Sequence, residues 1–69
     1  MTQKELDYLE DAIGHEDNII KICEESINYL EDDSLIDFMN DEVKNHASLR
    51  KKLMEVMEEK ANEWSIING

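Results

Sequence analysis

Apolar residues at Leu6, Leu9, Ile13, Ile20, Cys23, Ile27 and Leu30 follow one another in steps of three and four, with a single slot skipped between Ile13 and Ile20. That spacing lines one face of an α-helix. The skipped slot, position 16, holds a glutamate where the pattern asks for a leucine. Further along, Met39, His46 and Leu53 stand at the centre of a second helical pattern, so each apolar stripe is interrupted by one proton-capable or metal-capable side chain.

Two helices are predicted. Thr2 followed by Glu5 fits a capping box, in which each side chain accepts from an otherwise orphan backbone amide. The first helix then runs over 3–31. Asp32, Asp33 and Ser34 favour a turn, and Ser34 with Asp37 fits a second capping box, so that a second helix runs over about 34–64. No proline interrupts either pattern. So short a link cannot carry the chain back to the far end, and the expected fold is an all-α, antiparallel two-helix hairpin forming a single domain over 1–69.

The apolar sectors are too wide for two helices alone. Ala12 and Ile19 flank the first stripe, with Tyr8, Ile22 and Tyr29 beyond them, and the second helix is as broad. A chain of 69 residues is also small for a lone monomer. The expectation is a homodimer that closes a four-helix bundle, with docking on a different protein as the alternative. Gly14, inside the first helix, costs about 1 kcal/mol relative to alanine. A close helix approach, a slight kink or an open surface position would each account for it.

Charge adds an asymmetry. The net charge is −11, and residues 1–42 carry fourteen acids against two lysines, whereas residues 43–69 carry four acids against five bases. The antiparallel pairing sets the acidic start of the first helix beside the basic middle of the second. Direct nucleic-acid binding is not expected, because phosphates must be neutralised by cations this chain lacks. No basic-then-apolar leader and no membrane-length apolar run is present, so a soluble cytoplasmic protein without membrane contact is expected. The single cysteine, Cys23, lies on the apolar stripe and reads as a small hydrophobe.

Chemistry centres on Glu16, Glu42 and His46. A turn near 32–34 puts His46 level with Ile20 and Glu16 level with Arg50, which makes a Glu16–Arg50 ion pair the simplest way to neutralise the stripe glutamate. On that register Glu16 and Glu42 lie on opposite sides of His46, about 12 Å apart along the axis. Glu42 and His46, four residues apart, share one helical face. His46 reads either as a hydrogen-bonded core histidine or as a ligand; carboxylate and imidazole donors together suit iron, manganese or zinc. His15 reads as a surface residue, Met39, Met54 and Met57 as flexible core filler, and Trp64 as a clamp over the end of the bundle. The acidic run Glu31, Asp32 and Asp33 lacks the ligand spacing and the glycine of a calcium loop and reads as a solvated turn. Glycine-rich loops, nucleophile elbows and locatable Cys-His arrangements are absent, which argues against a hydrolase or a kinase.

YLEDAIGHE in the first helix and DEVKNHASLRKKLMEVM in the second resemble the helical hairpin of ferritin-like proteins and the small coat-F-like spore coat proteins. The resemblance spans Glu5 to about Lys60 and implies a four-helix bundle built from two hairpins. It also implies a glutamate from one helix and a Glu-x-x-His from the next as iron ligands. Glu16 matches the lone glutamate and His46 the histidine; Val43 stands where the motif has its second glutamate, and Glu42 lies one residue earlier. Three functions are therefore expected in turn. The first is a non-catalytic structural or assembly protein without a cofactor. The second is a dimer binding a divalent metal such as iron through Glu16, Glu42 and His46. The third is a small acidic inhibitor of a partner with a basic, nucleic-acid-binding surface.

Overall fold

The computed structural model describes the backbone of residues 1–68 and the side chains of residues 1–63. It is an antiparallel hairpin of α1 (Gln3–Ile27) and α2 (Asp33–Asn68), 54 Å long, 16 Å wide and 12 Å thick, with no strand among the described residues. The clamp expected of Trp64 lies outside the described side chains.

α1 starts as its sequence dictates. The Thr2 hydroxyl accepts from the Glu5 amide, and the Glu5 carboxylate accepts from the Thr2 amide at 2.8 Å, closing the capping box. These hydrogen bonds hold the Glu5 carboxyl below its ordinary pKa.

The link departs from the expectation of a helix to residue 31 and a turn at 32–34. α1 ends at Ile27, and 28–32 connect the helices. The last turn tightens: the Asn28 amide donates to the Glu25 and Ser26 carbonyls, and the Tyr29 amide to Ser26. The Ser26 hydroxyl donates to the Ile22 carbonyl at 2.7 Å, a side-chain competition that weakens a helix end. Asp32 then caps α2. One of its carboxylate oxygens accepts from the Ser34 amide at 2.9 Å, the Leu35 amide at 3.2 Å and the Ser34 hydroxyl at 2.6 Å. The Ser34 hydroxyl bond, followed by the two amides, lowers the Asp32 pKa. Ser34 therefore lies within α2, which begins one residue before the expected start and runs past 64 to Asn68. The capping chemistry was legible; which of three adjacent polar residues used it was settled by competition over a few ångströms.

The seam between the helices holds the core. Ile13 and Cys23 are each only 8% exposed, while Leu9, Ile20, Met39, Val43, Leu53 and Met57 are half-buried. Outside the seam, large apolar residues stay open, among them Tyr8 at 62% and Phe38 at 56% exposed. Gly14 is an exposed helical residue with no other atom within 4 Å of where a Cβ would stand. Within the hairpin, that makes the open surface position the reading that holds.

Candidate functional site

The stripe glutamate meets the stripe histidine. α1 carries Glu16 into the seam, and His46 reaches it from α2, with Nδ1 2.5 Å from Glu16 Oε2. On the other side of the ring, His46 Nε2 lies 3.3 Å from Glu42 Oε2, one turn earlier on α2. The Glu16 side chain is 12% exposed, so its charge is largely withdrawn from water.

Facing a carboxylate at each nitrogen, the imidazole is suited to carrying both protons and donating from each N–H. The hydrogen bond to Glu16 chiefly raises the His46 pKa above its ordinary value; partial desolvation opposes it, and the Glu16 charge and Glu42 reinforce it. The trio is thus an imidazole held between two carboxylates that favour its protonated form, one of which belongs to the opposite helix. It neutralises a half-buried acid and fastens α1 to α2 near mid-length.

Arg50 does not reach Glu16; it pairs with Asp17 on the outer side of α1. The cause is the link. With five residues at 28–32 instead of a turn at 32–34, the level of Glu16 shifts toward His46. With Glu16 level with His46, its separation from Glu42 falls from eight residues of α2 to four, about 6 Å along the axis, and the two carboxylates meet opposite nitrogens of one ring. All three candidate residues are therefore brought together around His46, while the exposed His15 stands apart.

A second feature was not read from the sequence. An open groove of ≈ 510 Å³ runs along the open end of the hairpin, lined by Met1, Glu5, Tyr8, Leu9, Val56 and Lys60 with Glu63. It brings Tyr8 of α1 and Val56 of α2 to the same side of the molecule. Their helical phases, each turned from its stripe, were the available signal.

No helix among the described residues is long and apolar enough to cross a membrane. No protein-family model, curated protein or solved structure matches the chain.

Proposed function

We propose that this protein is a non-catalytic structural or assembly protein, a ferritin-like or coat-like helical hairpin that works by self-association. The observation that carries this reading is the exposed apolar surface. Beyond the half-buried seam, Tyr8, Ile22, Phe38, Leu49 and Val56 are each at least 44% exposed, and Tyr29 is 87% exposed. Exposed apolar side chains beyond what the two helices cover, with Tyr8 and Val56 brought into one groove, mark a place where another surface binds. The polar cluster fits the same role. Glu16 and Glu42 each partner one nitrogen of His46, which ties the helices together. Molar mass measured by light scattering over a hundredfold dilution tests the reading. A mass above that of one chain, falling on dilution, supports it; one chain's mass throughout overturns it.

A metal-binding reading is favoured by one observation, the carboxylate beyond the histidine. A ligating imidazole commonly donates its other N–H to a carboxylate, and Glu16 at 2.5 Å from Nδ1 is placed to receive it. In this reading Nε2 of His46 and Glu42 hold iron, manganese or zinc, the Nε2 proton is released, and a second copy supplies further donors. Chelator-treated protein that melts higher with one of these metals, and loses that rise in His46→Ala, would support this reading. An unchanged melting temperature would exclude it.

A further inference from the structure

We infer that a second copy of this chain covers the exposed apolar side of the hairpin face to face and antiparallel, with the link of one copy over the open end of the other. The inference rests on the self-association reading and adds which side is used and in which direction.

The apolar flanks of the two helices share one side. On α1, Tyr8, Ala12, Ile19 and Ile22 lie roughly 100° around the axis from the seam or beyond, and on α2 Phe38, Leu49 and Val56 lie about as far from theirs. In an antiparallel pair these two rotations converge on the same side, as the shared groove of Tyr8 and Val56 demonstrates. The other side carries Glu10, Gly14, Asp17 and Lys21 of α1, with the Asp17–Arg50 pair closing it. The two helices run side by side over the 25 residues of α1, about 37 Å, and a face of that length and 16 Å wide reaches the lower end of what specific complexes bury, about 600 Å² on each partner.

Charge sets the direction. Residues 17–42, at the link end, hold nine acids and one lysine; residues 1–16 and 43–69, at the open end, hold nine acids and six bases. Stacking two link ends together opposes the strongest like charges in the molecule. Reversing one copy sets the acidic link of each over the end that holds Lys52 and Lys60 of the other.

Shape agrees with the reversal. Phe38 lies eight residues to the link side of His46, and Tyr8 lies eight residues to the open side of Glu16. A twofold axis through the level of the Glu16–His46 pair therefore brings Phe38 of the partner subunit level with the groove, each about 12 Å from the axis at 1.5 Å per residue.

Two measurements test this. The first is light scattering on Phe38→Glu and Leu49→Glu, with Asn40→Glu, on the opposite flank of α2, as the matched control and circular dichroism as a check that each chain is helical. Both face variants are expected to weaken association at least tenfold while Asn40→Glu retains the wild-type mass. Association unchanged in both face variants, or lost equally in the control, overturns the inference. The second is spin-label distance measurement on Lys4→Cys in a Cys23→Ala background that keeps the wild-type mass and helicity. The antiparallel arrangement predicts label-to-label distances of about 36 Å or more, since Lys4 lies twelve residues from Glu16. A mixed sample of Lys4→Cys with Glu31→Cys should instead give short distances between copies. A short Lys4–Lys4 distance, under about 20 Å as neighbouring parallel helices require, overturns the direction while leaving self-association standing. A wild-type chain that is monomeric at every concentration overturns both.

Discussion

The inner seam and the outer flank of this hairpin are built from residues of similar chemistry, and they fare differently. Ile13 in the seam is 8% exposed, whereas Ile22, nine residues later on the same helix, is 53% exposed. Even the charged Glu16, at 12% side-chain exposure, is more covered than Phe38 at 56%. The difference teaches that position about the helix axis, and not hydrophobicity, decides burial in a two-helix unit. Each helix has one stripe that its neighbour can cover. Whatever is apolar beyond that stripe stays available for a further surface, and a polar residue within it must bring its own partner.

Truncation should break the contrast most sharply. Ile13→Ala in the seam is expected to destabilise by about 3 kcal/mol, from lost burial and the cavity left behind. Val56→Ala on the flank should cost under about 0.5 kcal/mol in the isolated hairpin. Urea unfolding at a concentration below that at which copies associate will measure both, and equal costs would dissolve the distinction between seam and flank.

Helix capping comes next. Thr2→Ala removes the hydroxyl that accepts from the Glu5 amide, and a loss of about 1 kcal/mol is expected in the same unfolding experiment. At the surface the sign reverses: Gly14→Ala should stabilise by about 1 kcal/mol, because the helix gains propensity and the added Cβ meets open space. Destabilisation would mean that another helix approaches this side, contrary to the antiparallel face described above.

The polar part of the seam can be tested by pH. The folded His46 pKa is raised above the ordinary 6.5, so the protonated ring contributes stability that is fully present below the unfolded value and is lost as pH rises through the folded one. Melting temperature should therefore fall from about pH 6 toward alkaline pH, and His46→Gln should flatten that portion of the profile. A decline unchanged in the variant would mean that other groups cause it. The smallest effect is expected at Asp17→Asn. Its bond to Arg50 is outside the seam with Asp17 54% exposed, and such surface pairs contribute under about 1 kcal/mol.

Much of this molecule was legible before folding. The spacing of Leu6, Leu9, Ile13 and Ile20 announces the helix and its buried side, and Thr2 with Glu5 announces where it begins. Glu16, Glu42 and His46 stood out because each puts a titratable group in or beside an apolar stripe. What could not be read was the pairing. Glu16 was expected level with Arg50 and lies against His46, because the link is formed by 28–32. At the two ends of that link the Ser26 hydroxyl bonds the Ile22 carbonyl and Asp32, rather than Ser34, takes the cap of α2.

The sequence by itself determined that two amphipathic helices form, which stripe of each is buried and that more apolar surface exists than one neighbour can cover, because helical periodicity is a local property of the chain. Only the tertiary structure decided that the stripe glutamate meets the His46 imidazole and that the apolar flanks of both helices share one side with a groove between Tyr8 and Val56. Those facts depend on register, and register is the joint outcome of the link geometry and the fit of two surfaces distant in sequence.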